Sequence, residues 1–381
     1  MNGDFFNRIG VADMEKVHSA VIGWMFSKDC NALTPKQKSE LLCGLFNVTP
    51  VQVFTDFSVE VERHNIDIII LTNDGTKKHA WVIENKIKSS QHSNQLDKYV
   101  DIVLGNPVKI GRTTHRINSY CGDKWAQHYC FLTLIDEKPQ CIRKDLWVNK
   151  TYKEFALLLS NYNLSNIPDP DAVILHEYVQ CITNLADVLD DFLNNHQDYS
   201  NVFTDGVMQK DPSKKTHGNV NGKHAKFIAE NGLETIFQKC FLSHIMKKTK
   251  NFHDFSISET HGTALAGKPL IEEKGTELGI QFQDGTFKAQ VVIPDSKKKP
   301  DFVADNKNFW IKWNQVFSSN QLQICSGWRR NESKKNNGPY FSYSQKIQGC
   351  WYAKDVNKIA SEWDYWYDEC VKVLNELKKH C

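Results

Sequence analysis

Ile66-Asp67-Ile68-Ile69-Ile70-Leu71-Thr72-Asn73-Asp74-Gly75-Thr76-Lys77-Lys78-His79-Ala80-Trp81-Val82-Ile83-Glu84-Asn85-Lys86 is the stretch on which the reading of the fold turns. Both ends are rich in β-branched residues, and Asn73-Asp74-Gly75-Thr76 between them is strong turn chemistry. The pattern predicts a β-hairpin. Side chains alternate along a strand, so Glu84 and Lys86 share a face with Val82, while Ile83 and Ile87 point the other way into packing. A loop of about two residues sets Asp67 opposite Val82, one diagonal step from Glu84. A loop of about four, Asp74 to Lys77, sets it opposite Glu84. Either leaves Asp67, Glu84 and Lys86 on one face; an odd-length loop does so only with a bulge.

The neighbouring segments extend this hairpin into a layered core. Phe57 to Glu62 alternates apolar and polar residues and completes a meander of three antiparallel strands. Before it, Met14, Val17, Val21 and Met25 recur at helical spacing within Val11 to Ser27, with Asp13 placed to cap the start. Lys36 to Phe46 repeats the helical pattern after Thr34-Pro35. After it, Ser90 to Leu104 turns helical, His128 to Leu134 reads as a further strand, and Thr151 to Leu159 and Ala172 to Phe192 read as helices. This order predicts an α/β fold with a mixed central sheet flanked by helices over residues 1–195.

Residues 196–222 lack apolar periodicity and read as a linker or mobile loop. Residues 223–381 read as a second, α+β domain. It has a helix over Ala225 to Lys248 and a hairpin in which Leu278 to Phe282 and Phe287 to Val291 flank Asp284-Gly285. Strands are expected at Asn308 to Phe317 and Gln348 to Ala353, and a closing helix over Asp355 to Lys379.

Composition narrows the class. The 381 residues are 40% hydrophobic and 11% aromatic, which excludes a mainly disordered chain. Formal charge is only +2, but it is unevenly spread. Residues 1–200 carry 20 basic and 25 acidic groups, a net of −5; residues 201–381 carry 27 and 20, a net of +7. Such a division suits an anionic partner held by one half and processed by the other. None of the 11 cysteines forms a CxxC pair, so zinc-ribbon and thioredoxin-like classes are disfavoured and free thiols in a reducing cytoplasm are expected. Met1-Asn2-Gly3-Asp4 shows no basic-then-apolar leader, and no apolar run approaches a membrane span; neither secretion nor membrane insertion is expected.

Two carboxylates and a lysine on one patch suit a hard divalent cation. Magnesium takes oxygen ligands and usually keeps several waters and substrate phosphate oxygens. Asp67 and Glu84 supply two such oxygens, the Asn85 carbonyl a third, and Lys86 a group that orients the attacking water. That is the chemistry of phosphodiester hydrolysis. The apolar setting sharpens the reading, because charges within Ile- and Val-rich strands need a partner or a metal. Gln91, Gln95 and Tyr99 step by four along the next helix and form one stripe that reaches phosphates or holds Lys86.

These residues resemble the PD-(D/E)XK nuclease superfamily, whose core is the restriction-endonuclease-like fold, and within it a bacterial branch known by that superfamily name alone. Ile83-Glu84-Asn85-Lys86-Ile87 reads like its Glu-Asn-Lys strand. Gln91, Gln95-Leu96 and Tyr99 read like its Gln-x3-Gln-Leu-x2-Tyr helix. Glu15-x-x-His18-Ser19 reads like its N-terminal helix motif, and Phe131-Leu132-Thr133 like the strand that follows. The resemblance spans roughly residues 5–190; Asn65-Ile66 stand where a Pro commonly precedes the Asp. It implies a Mg2+-dependent endonuclease, with Mn2+ as a substitute, acting on DNA rather than RNA in a bacterial or phage genome-defence setting. It also implies that Glu15 faces the metal. A homodimer or a partner protein is compatible with the resemblance.

The C-terminal half adds basic clusters at Lys297-Lys298-Lys299, Arg329-Arg330 and Lys334-Lys335, with Trp310, Trp313 and Trp328 near them. Basic groups neutralise phosphates and aromatic rings stack on bases, so Arg329 and Arg330 are expected to contact substrate. The competing classes are a non-catalytic nucleic-acid binder and a protein-interaction module that keep the same fold. The intact Lys86 argues against the first, because a binder needs no Asp–Glu–Lys patch; a co-purifying partner with no nucleic-acid affinity that falls with salt would mark the second.

Overall fold

The computed structural model describes residues 4–381 apart from 50–51, 89–90, 92–93, 116–118, 167, 200–201, 204–221, 261, 274–275, 294–302, 319–327, 332–339 and 348–350. The chain divides into two compact units, Met1–Asp191 with Phe227–Ile236, and Phe192–Lys226 with Phe237–Cys381.

The first unit is α/β. In chain order it holds α1 (Phe5–Arg8), α2 (Glu15–Phe26), α3 (Pro35–Phe46), β1 (Thr55–Arg63), β2 (Ile66–Asn73), β3 (Lys78–Lys86), α4 (Gln95–Val103), β4 (Val108–Ile110), β5 (Thr113–His115), β6 (Trp125–Thr133), β7 (Trp147–Thr151), α5 (Tyr152–Ser160) and most of α6 (Pro170–Asn194). Its five-stranded sheet has the order β1-β2-β3-β6-β7. β1, β2 and β3 are an antiparallel meander, whereas β3–β6 and β6–β7 are parallel. Parallel neighbours need a crossover, and α4 lies in the connection between β3 and β6. β3 is therefore central, and from His79 to Lys86 it is buried throughout.

The hairpin closes at the Asn73–Lys78 pair, leaving Asp74–Lys77 as its loop. Asp74 accepts main-chain hydrogen bonds from Thr76 and Lys77 at 2.8 and 2.6 Å, which ties the turn to one geometry. One step beyond the last paired residues, Ile68 and Ile83, this register sets Asp67 across from Glu84.

The two sheet faces differ. Ile69, Val82, Tyr129, Phe131 and Trp147 pack with Leu96, Tyr99, Val100 and Val103 of α4. On the other face α2 lies so close to β1 that a Cβ on Gly23 would sit 2.4 Å from a Val61 methyl. α3 is anchored as its sequence suggests: Thr34 and Gln37 form a reciprocal capping box, with Pro35 at the first turn.

Two boundaries in this unit differ from expectation. α2 begins at Glu15 with no side-chain cap, and Asp13 instead pairs with the Lys88 ammonium. α4 begins only at Gln95, entered through Asn94 in the left-handed region (φ 61°), so Gln91 precedes the helix.

The second unit is built on a six-stranded sheet in which β12 (Arg329–Asn331), β13 (Tyr340–Lys346), β11 (Thr286–Val292), β10 (Thr276–Gln283), β9 (Thr263–Glu273) and β8 (Ser256–Thr260) lie in that order. α7 (Ala225–Glu230) and α8 (Glu234–Met246) straddle the division between the units. They replace the single helix expected there, because Gly232 takes φ 56° and breaks it. There follow β8, β9, β10, β11, α9 (Val303–Ser318), β12, β13 and α10 (Val356–Lys378). The β10–β11 hairpin turns at Asp284 and Gly285, both with positive φ, as the Asp-Gly pair predicts.

The strand expected at Asn308–Phe317 is instead part of α9. Phe309, Trp313 and Phe317 are spaced by four and form one helical face, and Phe317 stacks on Tyr343. The strand expected at Gln348–Ala353 is also absent among the described residues. Residues 348–350 lie outside them, and Trp351–Ala353 is a 3-10 turn. Of the expected linker, 204–221 lies outside the described residues, while Phe203 is buried against Trp351 and Tyr352. The described cysteines are unbridged. Among the described residues no helix is long and apolar enough to cross a membrane.

Candidate active site

The site lies where β2 begins and β3 ends, on the α4 face of the first unit's sheet. The Glu84 side chain is fully buried. Its Oε1 lies 2.6 Å from the Lys86 ammonium and accepts a hydrogen bond from Gln95 Nε2 at 2.8 Å. Gln95 Nε2 also donates to the Tyr99 hydroxyl at 2.6 Å. The other oxygen, Oε2, is buried and has no hydrogen-bond partner. Asp67 is half-buried, and its Oδ2 accepts the Asn85 main-chain N–H at 2.7 Å.

Burial sets the electrostatics. It pushes Glu84 up to about 8, with the Asp67 carboxylate adding to the shift and Lys86 opposing it. It pushes Asp67 up to about 6, against the pull of Lys86 and the Asn85 N–H. Burial alone would lower Lys86, but the Glu84 and Asp67 carboxylates outweigh it, so its pKa is raised and the ammonium persists at neutral pH. Tyr99 is also driven up by burial, and it stays a neutral phenol.

An unpartnered buried carboxylate oxygen, on a residue whose charge is coupled to a second carboxylate, is an unfavourable arrangement without a cation. Among the described residues no group of three or more His, Cys, Asp and Glu converges to hold a metal. The donor set is therefore two carboxylates, which fits an ion that retains much of its water, such as Mg2+.

The pH dependence has a definite sign. Asp67 and Glu84 both have folded pKa values above their unfolded ones, 3.8 and 4.5. Their contribution to stability is complete below the unfolded values and is lost as pH rises through about 6 and about 8. A divalent cation held by the ionised pair would stabilise the fold more as pH rises across the same window. At tenfold to hundredfold excess over its Kd, Mg2+ should add about 1.5–3 kcal/mol near pH 8.5 and almost nothing near pH 5.5. Thermal melts in EDTA and in Mg2+ at the two pH values measure this, and equal Mg2+ shifts at both count against the site.

The remaining sequence candidates are distributed differently. Glu15, the first residue of α2, accepts the Ile87 and Lys88 main-chain N–H groups through Oε1 at 2.9 and 3.0 Å. It thus fastens the chain just after β3, and its charge is felt at Asp67, Glu84 and Lys86. His18 is fully buried and satisfied by the Tyr178 hydroxyl and the Ala12 carbonyl, and burial pushes it down to about 4. Gln95 and Tyr99 reach the site, but Gln91 does not share their stripe. It clasps the Gln140 main chain in both directions, at 2.5 and 2.7 Å. Asn85 turns its side chain away from Glu84 and Lys86, toward α2 and α5. Nδ2 donates to the Glu15 carbonyl and Ser19 Oγ at 3.0 and 3.1 Å, and Oδ1 accepts from the Tyr152 hydroxyl at 2.6 Å. Only its main-chain carbonyl is left for a metal. Ser19 belongs to the Glu15-x-x-His18-Ser19 motif, but Tyr152 is a contributor that sequence reasoning misses, because it reaches Asn85 from a distant segment.

In the second unit Arg329 is exposed on β12, while the Arg330 side chain lies outside the described residues. So do Lys297-Lys298-Lys299 and Lys334-Lys335, and the side chain of Trp310. Trp313 is core, and Trp328 meets Trp366 edge-on.

Residues 3–141 match the family model of the PD-(D/E)XK nuclease superfamily. The match contains α2, the β1–β2–β3 meander, α4 and β6, and the mixed five-stranded sheet with helices is consistent with that fold. No curated protein and no solved structure matches the chain.

Proposed function

We propose that the first unit is a divalent-metal-dependent nuclease that hydrolyses phosphodiester bonds in DNA. The observation that carries the reading is the buried Glu84 carboxylate, one oxygen held by Lys86 and Gln95 and the other unpartnered, on a residue that the register sets across from Asp67. Asp67, Glu84 and the Asn85 carbonyl are the groups that would hold Mg2+, with Mn2+ as its substitute. When bound, such an ion lowers the pKa of a water and neutralises charge gathering on the phosphate.

Each side chain then has a task. Lys86, held as a cation by the neighbouring carboxylates, donates hydrogen bonds that orient the attacking water and stabilise the developing negative charge. Gln95 fixes the Glu84 carboxylate and is itself braced by Tyr99, so both act through Glu84 rather than on substrate. Glu15 sets the path of the chain leaving β3. Endonucleolytic cutting and a genome-defence setting are supported by the family resemblance, which is also what favours DNA over RNA.

The test is cleavage of circular and linear DNA, single strands and RNA in Mg2+, Mn2+ or EDTA. Cutting of DNA is expected with either metal and none in EDTA, with circular substrate linearised. Lys86→Met should lower the rate by about 10²-fold or more, the range for one hydrogen-bond donor aimed at developing charge. Cleavage that persists in EDTA, or at the wild-type rate in the Lys86 variant, contradicts the assignment.

A further inference from the structure

The sheet of the second unit has one face packed and one face polar. Phe282, Phe287, Ala289, Val291 and Phe341 alternate onto the buried face, where Phe282 and Phe287 meet Trp363 of α10. On the other face the register aligns a single row. Arg329 of β12 pairs with Ser344 of β13, Ser344 with Lys288 of β11, and Lys288 with Gln281 of β10.

Lys288 is the anomaly in that row. It is half-buried, in the middle of the sheet, and burial lowers its pKa with no carboxylate to oppose the shift. Among the described residues its ammonium has no ion pair, only a hydrogen bond to Gln283 Oε1 at 3.4 Å. Buried lysines are normally paired. Ser342 and Ser344 beside it are buried hydroxyls. Among the described strand residues the carboxylates on this face are Glu272 and Glu277, which pair with each other far along the strands; Glu277 is four residues from Gln281, about 13 Å along β10.

We propose that this face, centred on Lys288, binds the phosphate backbone of a nucleic-acid strand, a reading that rests on the nuclease assignment for its substrate class. A phosphate oxygen is the anionic acceptor that the ammonium lacks among the described residues, and the half-buried Gln281 amide directly across from it is placed to supply a further hydrogen bond. Arg329, exposed on the same row two strands away, lies about 10 Å from Lys288, which suits a ligand with repeating charges better than a single anion. The net charge of +7 over residues 201–381 favours the same ligand.

The test uses the full chain in EDTA, with fluorescein-labelled DNA oligonucleotides, single-stranded and duplex, titrated by anisotropy across a salt series. Lys288→Met keeps the chain length of the side chain and removes a charge that burial disfavours, so the fold is retained. Its affinity should fall about tenfold, and its log K against log salt slope should shrink by about 0.7 for single strands or 0.9 for duplex, the loss of one phosphate contact. Lys288→Arg should restore both. Lys358→Met removes the same charge from an exposed helix position and should change neither. Wild-type affinity and slope in Lys288→Met overturn the proposal. So does an equal loss in Lys358→Met, or a Lys288-dependent affinity for polyglutamate with none for DNA. The two readings fail separately: Lys288-dependent binding by a wild-type chain that never cuts sinks the nuclease assignment alone, whereas normal cutting with Lys288-independent binding sinks this one.

Discussion

Glu84→Gln is expected to lower metal-dependent cleavage by about 10³-fold while leaving the protein folded. The magnitude follows from the metal's task. A cation that stabilises the transition state by about 4 kcal/mol is worth roughly three decades of rate. Glutamine keeps the shape of Glu84 and a carbonyl oxygen for Gln95 Nε2, but it removes the charge that would hold the ion. Stability should respond in the opposite sense. Wild-type Glu84 is pushed up to about 8, so deprotonating it in the metal-free fold is unfavourable. The variant should therefore show a flatter melting temperature between about pH 6 and 9, with little Mg2+ effect at any pH. Single-turnover cleavage and melts on the same preparation measure both. Retained cleavage with an unchanged Mg2+ dependence removes Glu84 from the site.

Asn85→Ala is expected to give a large stability loss, about 3–4 kcal/mol. Asn85 is the fully buried tie between β3, α2 and α5. Removing it leaves the Tyr152 hydroxyl, Ser19 Oγ and Glu15 carbonyl each short of a partner, and a buried polar group so stranded costs about 1–3 kcal/mol. Ser19 still bonds the Glu15 carbonyl at 3.0 Å, which keeps the sum toward the low end. For a unit of this size the melting temperature should drop by roughly 8–15 °C. Tyr152→Phe removes the 2.6 Å hydroxyl contact to Asn85 and the hydrogen bond to the Tyr178 hydroxyl, and should lose about 1–3 kcal/mol. Denaturant unfolding measures the pair. A loss below about 1 kcal/mol in Asn85→Ala means that α2 and α5 are held to β3 by packing alone.

The hairpin shows how far local pattern reaches. Asn73-Asp74-Gly75-Thr76 marks the turn, β-branched runs mark the strands, and an even-length loop then dictates that Asp67, Glu84 and Lys86 share a face. In the fold that loop spans Asp74–Lys77, and the three residues come together. The helical stripe is only partly legible. Gln95 and Tyr99 are four apart and meet, but Gln91 is four before Gln95 and falls outside the helix, because Asn94 enters it from the left-handed region. Spacing presumes a continuous helix and cannot see where one begins. The aromatic run at Asn308–Phe317 fails for a related reason: Phe309, Trp313 and Phe317 suit a helix by period, yet the richness in aromatic residues suggests a strand.

By itself the sequence determined the period, the turns and the parity that set Asp67, Glu84 and Lys86 on one strand face, because those depend on neighbours within a few residues. The tertiary structure alone decided what each group meets. Glu84 is left with an unpartnered oxygen, Glu15 is drawn onto the main chain after β3, Asn85 is turned toward Tyr152, and Lys288 is half-buried with no ion pair among the described residues. Burial and partners come from segments 60 or more residues apart, as between Glu15 and Ile87 or Asn85 and Tyr152, and no local spacing records them.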